Sequence, residues 1–521
     1  MHIYIFIIIA YGLLFWRSDQ RVAWYMVSAN DVAWTLLVAL GPIPACCLGG
    51  WWAGRRAMVR LSATAAGPAA AQLFHHRMTL LLRSALMLGF GVSLFCTPWP
   101  NWFAIQSPAL RTLGDLAVLT PFLAGLVLLW LVAFPFERAL RAATFDPDTG
   151  SVADAPAPWR LGRYLEGFLR NQLLVFVIPL TLILFIANLT DGYSGLLTRW
   201  AGGWVWMPDA VLGVGALGVF FAAPVLLVRI WATEPLPQGA LRRELEGLCR
   251  KIGMRCRDIL VWKSDGMMVN AAVMGMWAPV RYVLLSDGLL SRMDSSQIAA
   301  VFGHEAGHVR YRHIPLFLVF AFVGWLVVAA AMELLLRWGA RGGQLGETDL
   351  LVIQGCGLVL TLAVWGLGFG WVSRRFERQA DVFGAACATP EPSGCRTPCS
   401  VHGPGRAADD NAREHGVGSA TNAHARVCAT GAAVFVSALE RVAILNGIPR
   451  GERSWRHSSI ASRVRFLTSL AGDPARACRF DRVVRRLQLV LLVAAGVGIV
   501  ALTGYCIWFE PVLLRPASSG V

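Results

Sequence analysis

Charge is scarce in this chain. Only 15% of its 521 residues are charged and 56% are apolar, where an average globular protein carries roughly a quarter charged residues. That balance excludes a string of soluble domains, because the missing charge must be concentrated into long uncharged runs. Lysine is nearly absent, with Lys251 and Lys263 alone, and acidic side chains number 32 against 47 basic ones. The resulting net charge of +15 raises the question of a nucleic-acid partner. The arginines, however, flank the apolar runs, and no basic stripe with interleaved aromatics stands elsewhere, so no nucleic-acid partner is expected. No disulfide framework follows from the 12 cysteines either: Cys46, Cys47, Cys96, Cys356 and Cys506 fall inside apolar runs and behave as small hydrophobes.

What is present is a series of runs near the spanning length of ~20 residues. Nine candidates begin with a short one, Ile3 to Trp16, and continue through Val32 to Gly50, Leu80 to Cys96, Leu113 to Phe134, Leu173 to Leu189 and Val211 to Ile230. Leu316 to Leu336, Leu350 to Val372 and Leu487 to Trp508 complete the set. The first run lacks a basic leader and a small-residue cleavage site, so a helix is expected there rather than a signal peptide. Arginine-rich loops (Arg55, Arg56, Arg60 and Arg77; Arg138, Arg141, Arg160, Arg163 and Arg170) alternate with sparse ones holding Arg111 or Arg199. With the rich loops inside, the polar stretches Trp231 to Pro315 and Ser373 to Arg486 face the cytoplasm and the C-terminus lies outside.

The first polar stretch reads as a small α+β unit. A charged helix from Leu241 to Ile252 precedes strand-like runs at Asp258 to Trp262, Met268 to Val273 and Arg281 to Leu285. Ser286-Asp287-Gly288 signals a turn. Asp294, followed by Gln297, then opens a helix through Ile298, Val301 and Phe302. In the second stretch, Ala388 to Cys428 has almost no large apolar residues and is expected to be a flexible insertion. Cys387 just before it, with Cys395, Cys399, Cys428, His402, His415 and His424, fits no common zinc spacing.

The capped helix carries His304-Glu305-Ala306-Gly307-His308. Histidines four apart share one helical face and can reach one divalent ion, with Glu305 beside them to contact water on that ion. A hydrolytic site needs a third protein ligand and an open position. The nearby positions offer Tyr311 and Ile314, not the glycine and histidine of an extended motif, and His313 is expected to flank the helix end. After the apolar hairpin, Glu377 and Asp381 share a face, as a ligand and an acceptor for a ligating imidazole would; a solvated ion-pair face among arginines is the alternative. Two spans out and back return this helix to the side of the first motif.

The pattern His304-Glu305-x-x-His308, membrane hairpin, Glu377-x-x-Ala380-Asp381 resembles the M48 family of integral-membrane zinc metallopeptidases, which includes the CAAX prenyl proteases and HtpX-type proteases. The likeness extends to Asn270-Ala271-Ala272-Val273-x-Gly275, to Arg281 through Leu290, and to His457 through Arg463, together about residues 235 to 470 without the insertion. The resemblance implies one zinc ion per chain on His304, His308 and Glu377, with Glu305 as general base and Asp381 supporting a ligand. It further implies that His457 stabilises the oxyanion, that Arg463 braces the site, and that Asn270, Ala271 and Gly275 touch substrate. Ser458, where the family usually has proline, departs from the pattern. An edge strand at Met268 to Val273 would align an extended peptide by backbone hydrogen bonds; an interior strand is the alternative.

The expected fold is mainly α, a polytopic transmembrane helical protein with a small α+β gluzincin-type catalytic domain on the cytoplasmic side. Its parts are an N-terminal transmembrane region (1–230), a first catalytic segment (231–315), a hairpin (316–372), a second catalytic segment (373–486) containing the insertion, and a last span with its tail (487–521). The expected activity is endopeptidase action on membrane-associated or misfolded proteins, in a bacterial-type inner membrane, with a peptide or protein substrate and the bilayer as partners. Processing of prenylated C-termini is the competing enzymatic reading. An inactive scaffold or a transporter is the alternative of another class, and few charges interrupt the spans to support a transport path.

Overall fold

The computed structural model describes residues 3–20, 31–63, 67–144, 160–266, 268–341, 346–389, 427–452, 454–471 and 473–508. Two units emerge, one built on Met1–Ala232 and the other on Thr233–Glu510.

Among the described residues the regular structure of the first unit is all helix: α1 (Ile3–Gln20), α2 (Val32–Leu40), α3 (Pro42–Leu61), α4 (Gly67–Cys96), α5 (Trp99–Trp102), α6 (Pro108–Thr144), α7 (Leu161–Phe168), α8 (Val175–Gly192), α9 (Ser194–Trp200) and α10 (Met207–Ile230). In α1 the buried residues are Ile3, Phe6, Ile7, Ala10, Tyr11 and Leu14, the three-and-four spacing that lays one stripe on a bundle. Tyr11 completes that face with a hydroxyl hydrogen bond to Thr181 at 2.7 Å. The outer surface is equally apolar, with Leu48, Val59, Leu88 and Val214 exposed, as a helix facing acyl chains requires. A π-turn over Leu169–Leu174 sits just ahead of Pro179, whose missing N–H leaves the ladder free to widen.

Eight helices among the described residues are long and apolar enough to cross a bilayer, and Ile3–Arg17 is a shorter apolar helix. Nine spans are expected from the sequence. The difference is one of length, because the first run forms a helix but has too few apolar residues to meet the spanning length by itself.

The second unit joins a small sheet to helices. Its four strands are β1 (Thr233–Pro235), β2 (Asp258–Trp262), β3 (Ala271–Met274) and β4 (Tyr282–Ser286), in the order β1-β2-β4-β3. β2 and β4 run parallel, and all five β4 residues are buried, the continuous apolar strand of a doubly covered sheet. β3 is one edge of the sheet, with β1 the other, and runs antiparallel to β4 from Ala271↔Leu285 to Met274↔Tyr282. It starts three residues later than the sequence pattern predicts. The Val269 backbone is satisfied on both sides by the Asn446 amide, and Asn270 accepts from the Ser286 N–H at 3.0 Å while its own N–H donates to Ser286 Oγ at 2.9 Å rather than to a β4 carbonyl, so the regular ladder begins only at Ala271. β1 escaped sequence reading because three residues ending in Pro235 carry no alternation.

Around the sheet pack α11 (Ala240–Lys251), α12 (Asp287–Arg292), α13 (Ser295–Arg310), α16 (Gly370–Cys387), α17 (Ala429–Leu445) and α18 (Ile460–Ala471). The expected turn at Ser286 is the cap of α12, its side chain accepting from Leu289 N. α14 (His313–Ala340), α15 (Glu347–Ala363) and a π-turn over Val364–Phe369 form the apolar hairpin that leads into α16, and α19 (Pro474–Trp508) is the last helix among the described residues. Of the expected insertion Ala388 to Cys428, residues 390–426, with Cys395, Cys399, His402, His415 and His424, lie outside the described residues. Cys387, beside the insertion, is a free thiol.

Candidate metal centre

α13 starts where the sequence predicts, with Asp294 accepting from Gln297 N at 2.8 Å, and buries Ile298, Ala300, Phe302 and Ala306. Its opposite contact is with α16, and glycines set the separation. A Cβ on Gly303 would meet Cys387 Cβ at 2.7 Å, and one on Gly307 would meet Ala380 Cα at 3.1 Å. On α16 a Cβ at Gly384 would meet His304 N at 3.0 Å. Small residues four apart on both helices thus let the two backbones touch, and this crossing carries His304 and His308 against Glu377 and Asp381.

His304 Nε2 lies 3.6 Å from Glu377 Oε2, and His308 Nε2 lies 3.8 Å from Glu377 Oε1. One ligand atom from each of the three residues falls within 4.8 Å of the others, which makes this group able to hold a metal ion. The donor set, two imidazoles and a carboxylate, is that of a catalytic zinc site with one position open. The far sides of both rings agree with that use. His304 Nδ1 lies 3.0 Å from Asp381 Oδ1, and Asp381 is fully buried in a two-pronged pair with Arg463. His308 Nδ1 meets His313 Nδ1 at 2.9 Å, and His313 Nε2 meets Gln379 Oε1 at 3.0 Å. With Gln379 Oε1 accepting, His313 donates from Nε2 and receives the His308 Nδ1 proton. His308 Nε2 is then left as a lone pair on the side of Glu377.

Burial holds the His308 pKa well below the ordinary histidine value, and neighbouring His304 adds to the effect, so this imidazole stays neutral and able to ligate. For His304 burial acts the same way, but the Asp381 carboxylate outweighs it and the pKa is raised. Burial raises the Glu305 pKa above the usual carboxylate range, and Glu377 contributes in the same direction. The backbone of Val273 on β3 hydrogen-bonds Glu305, so the edge strand passes directly over this carboxyl. Of the strand residues singled out by sequence, Asn270 is exposed and Ala271 buried. Gly275 turns the chain at φ +94°, where a Cβ would strike Val280 O at 2.3 Å. His457 reaches the same centre from the loop before α18, with Nδ1 2.8 Å from Glu377 Oε2 and its side chain 47% exposed.

Sequence reasoning missed the grip of His313 and Gln379 on His308. The histidine was visible five residues beyond His308, but Gln379 lies across the hairpin and has no spacing signal. It also missed the glycine crossing, although Gly303-x-x-x-Gly307 and Ala380-x-x-x-Gly384 stand in the sequence as a close-packing pattern.

Residues 235–450 match the model of peptidase family M48. The chain is 27% identical over 224 residues to a protease HtpX homolog of Aeropyrum pernix, covering 39% of this chain and 68% of that protein. It is also 27% identical over 229 residues to a CAAX prenyl protease 1 homolog of Dictyostelium discoideum, covering 40% of this chain and 49% of that one. A comparison with the crystal structure of S. mikatae Ste24p gives a TM-score of 0.45 at 14% identity, over 84% of this chain and 99% of that one. The chain thus spans about two thirds of the first relative's length and half of the second's. The candidate ligands His304, His308 and Glu377 all lie inside the segment that is similar to peptidase family M48, and helices long and apolar enough to cross a membrane stand on either side of that segment in the sequence.

Proposed function

We propose that this protein is a zinc-dependent endopeptidase of the membrane, hydrolysing peptide bonds of membrane-associated or misfolded proteins. The observation that carries the reading is the convergence of His304, His308 and Glu377 on one point beside Glu305. Bound zinc supplies Lewis acidity toward a carbonyl oxygen and toward water. Glu305 takes a proton from the attacking water and returns it to the leaving amine nitrogen, work suited to a carboxyl whose pKa burial has raised. β3 offers its free edge to an extended peptide, with Asn270, Ala271 and Gly275 along the contact, and backbone pairing leaves much of the substrate's side-chain sequence unread. His457 faces the developing oxyanion, and Arg463 holds Asp381 so that His304 keeps its orientation. The site faces the cytoplasm of a bacterial-type inner membrane, following the arginine-rich loops.

Cleavage of lipidated C-termini is the second reading, favoured by the similarity to a CAAX prenyl protease 1 homolog. Detergent-purified protein incubated with casein and with a farnesylated peptide, each with and without chelator, separates the two. Chelator-sensitive cleavage of casein supports the broad endopeptidase, and cleavage of the farnesylated peptide alone replaces it with the second. Absence of both activities in zinc-loaded protein contradicts the function.

A further inference from the structure

We propose that Trp455 is a positioning residue for His457, docking the loop that carries this histidine onto the π-turn of the apolar hairpin. The inference rests on the reading of His457 as a substrate-facing group. From Pro449 to Ser459 the loop consists of proline, glycine, serine and charged residues, and Trp455 is its one large apolar side chain. Nearly half of it is exposed, yet it is fastened in three ways. The indole Nε1 donates to Gly366 O at 2.5 Å. The ring lies 5.4 Å from that of Phe369. The main-chain carbonyl of Trp455 accepts from Arg374 Nη1 at 2.8 Å.

Gly366 and Phe369 both belong to the π-turn, the kind of local widening in which a helix departs from its regular ladder and which recurs at functional sites. The next residue is Gly370, where a Cβ would meet Trp455 Nε1 at 2.5 Å and Cδ1 at 2.9 Å. Glycine there makes the cradle in which the indole rests. Gly370, Arg374 and Glu377 are spaced four and three apart and so share one face of α16. The loop is attached to that face twice, by Trp455 near Gly370 and Arg374 and by His457 at Glu377, 2.8 Å away. Between the attachments there is almost no slack. The His457 N–H donates to Ser454 Oγ at 3.3 Å, the Ser458 N–H donates to Ser454 O at 3.2 Å, and Ser458 adopts φ +64°. A tight turn of this kind transmits the placement of Trp455 to the imidazole two residues on. The apolar hairpin therefore leads into the helix that carries Glu377 and also sets the register of the histidine opposite it.

The test compares Trp455→Phe, which keeps a ring and loses only the N–H, and Gly370→Ala, which fills the cradle, in the purified full-length chain. Each is made alone and together with His457→Ala. The expected result is a fall in kcat of about tenfold or more, as a misplaced group near reacting atoms produces, with KM changed less than about twofold. In the His457→Ala background the same substitutions change kcat less than about twofold, because the group they position is gone. Backbone hydrogen exchange supplies a readout independent of activity: Trp455→Phe speeds exchange at 454–459 and leaves 304–308 as in the wild type. Wild-type exchange at 454–459 in that variant, or an undiminished kcat loss in the His457→Ala background, overturns the proposal. A wild-type chain that turns over no peptide overturns the proposed function instead, and the exchange comparison still decides whether Trp455 holds the loop.

Discussion

His308 and His313 meet through their Nδ1 atoms at 2.9 Å, so the outer face of one candidate ligand is fixed by a second, fully buried histidine. His313 in turn stacks on Phe376 with ring centroids 4.4 Å apart and planes within 2°. Partners of this kind fix tautomer and ring orientation, and their loss costs about 10–100-fold in metal affinity. His313→Phe should weaken zinc binding by that factor while keeping the stack, as measured by competition with a chelator of known affinity. An unchanged affinity would remove His313 from the site.

Glu305 gives two linked expectations. Glu305→Gln should retain the metal and lose about 10²–10⁴-fold in kcat, the usual contribution of a positioned general base. In the wild type, burial raises this carboxyl's pKa above the ordinary 4.5. The active form is the carboxylate, so activity disappears as pH falls through the raised value, and the acid limb of kcat/KM should have its midpoint above 4.5. A midpoint at or below 4.5 would show that burial does not govern this group.

The helix crossing can be tested by volume. Gly303→Leu puts a side chain where even a Cβ comes within 2.7 Å of Cys387 Cβ, and overpacking of this sort costs about 1–3 kcal/mol. Because the same contact brings His304 and His308 to Glu377, thermal stability and zinc affinity should fall together. A loss of stability with unaltered affinity would separate the crossing from the metal centre.

Asp294 caps the helix that bears both histidines. Its pKa is lowered: burial pulls it upward, but hydrogen bonds from the Ser296 hydroxyl and the Gln297 N–H prevail. A depressed folded value means the stabilisation is present above the unfolded value of 3.8 and is lost as pH falls through the folded one. Asp294→Ala should cost about 1 kcal/mol near neutral pH, and the difference from wild type should shrink in acid. A thermal-shift series in buffers from neutral to strongly acidic would reveal a constant difference if the cap were not responsible.

Local signals carried much of this arrangement. The Asp294 cap, the pairing of His304 with His308 and the apolar runs are decided within a few residues, and sequence reading placed α13, β2 and the hairpin near their observed positions. The start of β3 was set instead by Asn446, 177 residues away from Val269, and the support of His308 by Gln379 across the hairpin. Such long-range satisfaction of polar groups leaves no periodicity to read. The meeting of Glu377 with the two histidines was legible only in part: the sequence suggested that the hairpin returns, whereas contact depends on the glycines that let α13 and α16 touch.

The central claim is that His304, His308 and Glu377 together hold one catalytic cation. Elemental analysis of purified wild type, Glu377→Ala and His304→Ala, each after zinc loading and removal of loosely bound metal, tests it most directly. The account predicts close to one zinc per chain in the wild type and close to none in either variant, with the helical content of all three alike. A wild-type chain without zinc, or a Glu377→Ala chain that keeps it in full, would contradict the account.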